Sequence, residues 1–232
     1  MEDATAAGGT ATDTAGRRPR QRNARGQGAR LSEDIVRAAL ALIEREGSDE
    51  AVTLRAVARE IGIAAPSIYP HFADRESIIL AVVAQLFDEL AEAITAAQAA
   101  AGDDPVERLV AGCEQYVRYG LEHPARYGVL FSGRWREAAA DYCRPVVIFP
   151  GSRPVLEFGA DAFALLAGGI EACAQAGESA STDVISDGTA VWVALHGTVT
   201  LRTALPGFPW PEPVTDFVRQ LVLPLGRVRP QA

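Results

Sequence analysis

Lysine is absent from this 232-residue chain, so all 22 of its basic side chains are arginine. Each guanidinium is planar and can bind a carboxylate or a phosphate through two hydrogen bonds. The chain also lacks the run of about 20 apolar residues that a transmembrane helix requires, and its first residues lack the apolar stretch of a secretory signal peptide. With 48% hydrophobic and 22% charged residues, it has the composition of a soluble globular protein, which we expect in the cytoplasm.

Cysteine is scarce as well. The three cysteines are widely spaced, form no CxxC pair and have no metal-ligand spacing with the three histidines. We therefore predict no metal site and no other cofactor. Buried, reduced thiols are the expected state, and a redox-sensing thiol is the alternative. The cysteines are Cys113, Cys143 and Cys173.

The motifs of common enzymes are missing too. The sequence contains no GxSxG, no HExxH and no glycine-rich phosphate loop after a strand, and it has no strand pattern that would position such motifs. His196 with a distant Asp or Cys could form a catalytic pair, but a histidine in a helix core is the more common case. We expect a protein that is not an enzyme, and a helical enzyme stays as the alternative.

The most informative stretch is residues 53–72, which reads TLRAVAREIGIAAPSIYPHF. Thr53 can cap a first helix, and Gly62 can end it in the left-handed conformation. Apolar residues at helical spacing give this helix one buried face: Leu54, Val57, Ala58 and Ile61. A second short helix follows a tight turn and carries Ser67, Tyr69 and His71. Together the two predict a helix-turn-helix, whose second helix can enter a DNA major groove.

This stretch and its flanks resemble the DNA-binding domain of TetR-type transcriptional regulators. The resemblance rests on Leu54–Arg59, on Gly62 and on Ile68–Glu76, which reads IYPHFADRE. It implies an all-α fold in which residues 30–90 form a three-helix DNA-binding domain. A larger helical domain for effector binding and dimerisation is implied over residues 104–228.

Two positions depart from the family pattern. Ala64 stands where TetR-type proteins usually have a capping Ser or Thr, so we expect the second helix to start without a side-chain cap. Pro70 lacks an N–H and disfavours helical geometry at Tyr69. We therefore expect this helix to end early or to tighten there.

Charge is distributed unevenly along the chain, whose net charge is −8. Residues 17–75 hold eleven Arg against eight Asp and Glu, whereas residues 76–232 hold eleven against nineteen. The basic excess thus coincides with the helix-turn-helix, where phosphate contacts require it. Residues 1–29 are predicted to be a disordered arm whose arginines contact DNA. The alternative is a solvated basic tail that only assists solubility.

Helical periodicity continues along the chain. The predicted helices are Ser32 to Gly47, Asp74 to about Ala100, Asp104 to His123, Val155 to about Gln175, Thr182 to about Ala204, and Val214 to Leu225. Residues 141–154 hold three prolines and are predicted to be a long connection. In TetR-type proteins the last two helices commonly form a four-helix bundle with those of a second subunit, so the resemblance implies a homodimer. The alternative is that their apolar faces pack within one subunit.

The resemblance also assigns candidate DNA contacts by position. Phosphate contacts are implied at the start of the first helix of the motif, in the second helix and at the start of the next helix, and base contacts at the start of the second helix. The phosphate candidates are Thr53, Arg55, Tyr69, His71 and Arg75, and the base-facing candidates are Ala65, Pro66 and Ser67.

A second short motif, Trp192 followed by His196-Gly197, resembles a subgroup of TetR-type C-terminal domains. Aromatic residues in this half of the chain can line a small-molecule cavity, although each can equally be plain core. The candidates are Tyr116, Tyr127, Phe131, Trp135, Phe163, Trp192 and His196. The resemblance thus implies a homodimeric repressor that binds a palindromic DNA operator and is released by a small hydrophobic effector. A protein that coats DNA without specificity is the alternative.

Overall fold

The computed structural model describes residues 27–135, 145–146, 155–156 and 159–229. Helices dominate these ranges, which confirms the predicted all-α class. They are α1 (Gln27–Glu46), α2 (Leu54–Glu60), α3 (Arg75–Ala100), α4 (Pro105–Glu122), α5 (Pro124–Phe131), α6 (Ala160–Gln175), α7 (Val184–Ala204) and α8 (Val214–Leu225). Two short strands, β1 (Pro145–Val146) and β2 (Val155–Leu156), pair antiparallel. Within the described ranges, no helix combines the length and hydropathy of a membrane span.

The N-terminal part, residues 27–82, is a small helical unit that we call the head. Its buried apolar side chains belong to a hydrophobic cluster that continues into the C-terminal helices, and the largest of them in the head are Ile35, Ile43, Val52, Val57, Ile68 and Ile78. The Thr53 hydroxyl accepts a hydrogen bond from the Ala56 N–H at 3.1 Å, which confirms the predicted cap of α2. Gly62 has a φ of +70°, the left-handed conformation expected at the end of this helix.

The second element of the helix-turn-helix is tighter than an α-helix. It is a 3-10 turn over Ala65–Ser67, and Ala64 before it makes no side-chain cap bond. The Ile68 N–H donates to the Ala65 carbonyl, and the His71 N–H donates to the Ile68 carbonyl. Both are the i to i+3 bonds of a 3-10 helix. The missing cap expected at Ala64 and the short, tight helix expected from Pro70 are both confirmed.

Helix α3 connects the head to the rest of the protein. Asp74 and Ser77 form a reciprocal capping box at its start. Its 26 residues extend over about 39 Å. The first turns pack against α1, and the later turns pack against α4 and α6. A displacement of α3 therefore involves both halves of the chain.

The C-terminal helices pack around α4, which contacts α3, α5, α6, α7 and α8. Gly120 allows α4 and α7 to approach closely, because a Cβ at this position would lie 2.6 Å from Cγ1 of Val199 and 2.9 Å from Cδ2 of Tyr127. The inner faces of the last two helices are buried within the same chain, through Val191, Leu195 and Val199 on α7 and Val218 and Val222 on α8.

Two predicted boundaries are wrong. Helix α1 begins at Gln27 rather than Ser32, because Leu31 packs on the core and extends the apolar face, and residues 27–29 consequently belong to a helix rather than to the predicted arm. Helix α6 begins at Ala160 rather than Val155, because Val155 pairs with Val146 in the strands and Gly159 has a φ of +80°. Residues 1–26 and most of the predicted connection 141–154 lie outside the described ranges.

Replacing Gly120 by Ala is expected to lower the free energy of unfolding by about 2 kcal/mol, because the new methyl group overpacks the contact between α4 and α7. Gly128→Ala is the matched control. Gly128 is an exposed helical glycine in α5 with nothing within 4 Å of an added Cβ, so alanine there should raise stability by about 0.5 kcal/mol. Urea unfolding measures both. Equal stability of the two variants would contradict the described packing.

Candidate functional sites

One face of the head presents the start of α2 and the 3-10 turn to solvent. Thr53, Arg55, Pro66 and Ser67 are exposed there, and the Tyr69 ring is 60% exposed. Ala65 is half-buried and packs on the core. Five of the eight candidate DNA contacts thus have accessible side chains, and of these only Arg55 is charged.

The other two candidates in the head are engaged internally. Nδ1 of His71 is hydrogen-bonded to the Ser32 hydroxyl at 3.0 Å. The Arg75 guanidinium donates to the carbonyl of Val52 at 2.8 Å and to the carbonyl and carboxylate of Asp49 at 2.6 and 3.1 Å. This places Arg75 as a brace between α3 and the loop before α2.

Two arginines of the C-terminal half also bind the head. Arg126 on α5 donates from Nε to Glu44 of α1 at 2.6 Å and from Nη1 to Glu89 of α3 at 2.8 Å. Arg134, just after α5, pairs with Asp49 and with Glu50, the latter at 2.8 Å. We call these contacts the α5 bridge. Through them α5 and the segment after it are connected electrostatically to the end of α1, to the loop that follows it and to α3.

A cavity of about 450 Å³ lies between α3, α4, α5, α6 and α7. Five of the seven candidate ligand residues line it: Tyr116, Phe131, Trp135, Phe163 and Trp192. Phe87 of α3 joins them, with its ring edge-on to Phe131 at a centroid distance of 6.0 Å and to Trp135 at 6.3 Å. The lining is therefore largely aromatic and aliphatic, as in small-molecule sites.

Tyr127 and His196 lie outside the cavity lining, in a row of polar groups behind it. The Trp192 indole N–H donates to the Tyr116 hydroxyl at 3.1 Å, the two tyrosine hydroxyls are 2.9 Å apart, and the Tyr127 hydroxyl is 2.8 Å from Nδ1 of His196. Because the Tyr116 oxygen accepts from Trp192, its own proton is available for Tyr127, which in turn can donate to His196. This row fixes the orientation of the rings on one wall.

Burial favours the neutral forms of the two tyrosines and of His196 in this row. It raises the pKa of Tyr116 to about 12, raises the pKa of Tyr127 as well, and lowers the pKa of His196. A neutral imidazole leaves Nδ1 free to accept a hydrogen bond, which agrees with the direction inferred from the distances. This wall of the cavity therefore consists of neutral polar groups and carries no charge.

The cysteines described here are free and buried, as expected for structural thiols. Burial raises the pKa of the Cys113 thiol and raises that of Cys173 to about 11. Since the thiolate is the reactive form, both are poor nucleophiles at neutral pH. Cys143 lies outside the described ranges.

An exposed apolar stripe follows the outer face of α7. It consists of the exposed Val193 and Leu201, the half-buried Gly197 between them and the exposed C-cap residue Leu205, all at four-residue spacing, and we call it the α7 stripe. Leu201 is 49% exposed, and a Cβ at Gly197 would have nothing within 4 Å. Phe208 in the following proline-rich loop is also exposed. This face is distinct from the buried face of α7, which carries Val191, Leu195 and Val199.

Comparison with known families agrees with this architecture. Residues 35–82 match the family described as bacterial regulatory proteins, tetR family, and residues 109–225 match the family described as Tetracyclin repressor-like, C-terminal domain. The second match alone covers half of the chain. The chain belongs to the TetR family. It is therefore a DNA-binding transcriptional regulator and not an enzyme, as the sequence predicted.

Individual relatives of this TetR-family protein are distant. An uncharacterized HTH-type transcriptional regulator of Mycobacterium tuberculosis, Rv0681, is 34% identical over 100 residues, which are 43% of this chain and 44% of that protein. The regulator BetI of Stenotrophomonas maltophilia is 32% identical over 77 residues, 33% of this chain and 39% of BetI. The matched segments thus span less than half of either curated relative.

Solved structures share the fold at lower identity. A protein of unknown function from Rhodococcus sp. RHA1 superimposes with a TM-score of 0.66 at 20% identity, covering 91% of this chain and 98% of that one. A tetR-family regulatory protein from Rhodococcus RHA1 gives a TM-score of 0.60 at 19% identity, covering 86% and 98%. At these identities the similarity concerns the fold of the chain.

The structure also brings Gln98 into the cavity, a residue that the sequence reading missed. Gln98 follows Leu90 and Ile94 at four-residue spacing, so it continues the buried face of α3. A polar residue on an otherwise apolar helical face is a detectable signal. Gln98 is not aromatic and was therefore not among the predicted cavity residues.

Proposed function

We propose that this TetR-family protein is a homodimeric repressor that binds a palindromic operator and releases it when a small, largely apolar effector enters the cavity. The observation that carries the proposal is the placement of α3. Its first turns pack in the head, while Phe87, Leu90, Ile94 and Gln98 further along line the cavity. An effector that displaces these side chains therefore acts on the helix that positions the head.

DNA contact is assigned to the exposed face of the head. Arg55 lies in the first turn of α2 and has no ion-pair partner among the residues described, so its charge is available for a phosphate. Tyr69 is a second phosphate contact, while Pro66 and Ser67 face the bases, where contact with thymine methyl groups is compatible with such small side chains. His71 and Arg75 keep a supporting role, through Ser32 and Asp49 respectively.

Dimerisation is assigned to the α7 stripe together with the outer face of α8. Two copies of a self-complementary surface produce a two-fold axis, which is the symmetry of a palindromic operator. The open space at Gly197 suits the close approach of a second helix. Burial of Leu201, Leu205 and Phe208 against the partner would remove the largest exposed apolar side chains of this region from water.

The α5 bridge supplies the second connection between the cavity and the head. Phe131 and Trp135 line the cavity, and Arg126 and Arg134 in the same segment hold Glu44, Glu89, Asp49 and Glu50. An effector that moves α5 alters these ion pairs while it also displaces α3. The two heads of the dimer then no longer match half-sites about 34 Å apart, and operator affinity falls. We place this regulator in the cytoplasm.

Selection of bound duplexes from a random DNA pool, followed by fluorescence anisotropy, tests the proposal. A palindrome should be enriched, and Arg55→Ala should weaken its binding on the order of tenfold and reduce the salt dependence. Arg118→Ala is the matched control, because Arg118 is an exposed arginine on α4, far from the head in sequence and hydrogen-bonded to Gln115. If no sequence is enriched and the binding depends on salt alone, the protein is a DNA-coating protein instead.

A further inference from the structure

The side-chain amide of Gln98 borders the cavity and has no hydrogen-bond partner among the described residues. Gln98 is 8% exposed and lines the cavity from α3. Across the part of the chain that the structure describes, its amide has no hydrogen bond to another side chain or to the backbone. Burying an amide without a hydrogen bond is costly, and buried polar groups in proteins are nearly always satisfied. A molecule in the cavity can therefore supply hydrogen bonds that the described residues do not.

Gly112 on α4 keeps this amide in place. A Cβ at position 112 would lie 2.9 Å from Nε2 of Gln98 and 3.1 Å from its Cγ. The glycine therefore leaves the space that the glutamine side chain fills, and the amide is packed rather than loose. A packed, buried polar group is already oriented for a ligand.

The remaining polar side chains of the cavity are engaged within the protein. The Tyr116 hydroxyl and the Trp192 indole bond each other, the Trp135 indole donates to the Leu130 carbonyl at 3.1 Å, and the Thr189 hydroxyl donates to the Ile185 carbonyl at 2.7 Å. Among the described residues that line the cavity, none is Asp, Glu, Arg or His. The lining thus offers the Gln98 amide, a weakly donating Cys113 thiol and no countercharge.

We infer that the cavity selects a neutral, predominantly apolar molecule carrying one amide, carbonyl or hydroxyl group, which pairs with Gln98. This rests on the proposed role of the cavity as the effector site. A glutamine amide both donates and accepts, so a ligand amide can form two reciprocal hydrogen bonds with it. A carboxylate or an ammonium group would be desolvated with no opposite charge nearby and is rejected. The volume of about 450 Å³ admits a molecule of drug-like size.

A matched series of para-tert-butyl aromatic probes tests this inference without DNA. The series consists of 4-tert-butylbenzamide, the corresponding benzoate and benzylammonium ions, and 4-tert-butyltoluene. Binding is followed by tryptophan fluorescence, since Trp135 and Trp192 line the cavity. The amide should bind at least about tenfold more tightly than either ion. Gln98→Leu should lower the amide affinity about tenfold and leave the toluene affinity within about threefold. Gln175→Leu, at an exposed glutamine ending α6, should change neither.

Gln98→Glu provides a second variant of nearly the same shape. Its carboxylate should abolish the preference for the amide and make benzylammonium the better ligand, a reversal that general loss of structure cannot produce. Three results would overturn the inference. The natural protein could prefer one of the ions, Gln98→Leu could bind the amide with unchanged affinity, or none of the four probes could bind. Because no operator is involved, these outcomes are separate from the DNA selection, which tests the regulator proposal by itself.

Discussion

A Leu201→Arg variant is expected to be monomeric and to lose affinity for a palindromic operator by at least about a hundredfold. Leu201 is at the middle of the α7 stripe, where it is 49% exposed in the single chain. In a two-fold interface the substitution introduces a charge from each subunit into an apolar contact, so both charges lose their hydration. A monomer binds a single half-site and therefore lacks the additional affinity that two linked heads have for a palindrome.

Sedimentation analysis gives the oligomeric state, and anisotropy gives the affinity. Ala172→Arg is the control, because it adds the same charge at an exposed position of α6. Gly197→Leu adds bulk without charge at a position where the single chain has open space, and it should weaken the dimer without unfolding the monomer. Dimers of unchanged stability in both stripe variants would place the interface elsewhere.

Asp49→Ala should produce the largest loss of stability among substitutions of charged residues in the head, lowering the free energy of unfolding by about 2 kcal/mol. The Asp49 side chain is 7% exposed, and it pairs with Arg75 at 3.1 Å and with Arg134. Its removal deprives both guanidinium groups of a buried carboxylate, and Arg134 then pairs with the exposed Glu50 instead. It also removes the carboxylate through which the loop before α2 contacts both the start of α3 and the segment after α5.

Asp34→Ala is the matched control for this substitution. Asp34 pairs with Arg37 within α1, and both side chains are exposed, so its loss should change stability by less than about 0.5 kcal/mol. Urea unfolding of the two variants measures the difference. If Asp49→Ala were as stable as Asp34→Ala, the buried ion pairs would contribute nothing to the connection between the halves.

The features that were predictable from the sequence are local ones. The cap at Thr53, the left-handed Gly62 and the tightening at Pro70 depend on residues within one turn of each other, so their effects are visible in the sequence itself. The resemblance to the TetR family predicted the order of the helices along the chain. The start of α6 was missed, because the pairing of Val155 with Val146 depends on two segments that are separated in the chain.

The sites were less predictable for the same reason. Arg75 resembled a free phosphate contact until the fold placed Asp49 and Val52 beside it, 26 and 23 positions away. Tyr127 and His196 carried the right chemistry for a cavity but lie behind Tyr116. Gln98 was detectable only as an interruption of an apolar face. The local sequence pattern thus predicts the helices, whereas the burial of a side chain and its hydrogen-bond partners become known only from the folded structure.

The most direct test of the account compares two duplexes, the selected palindrome and the same duplex with one half-site scrambled. The regulator proposed here should bind the palindrome as two chains per duplex, and scrambling one half-site should weaken binding at least about a hundredfold. A sequence-specific dimeric regulator would be contradicted if the protein bound the palindrome, the half-site duplex and an unrelated sequence with equal affinity, and if that affinity depended on salt alone.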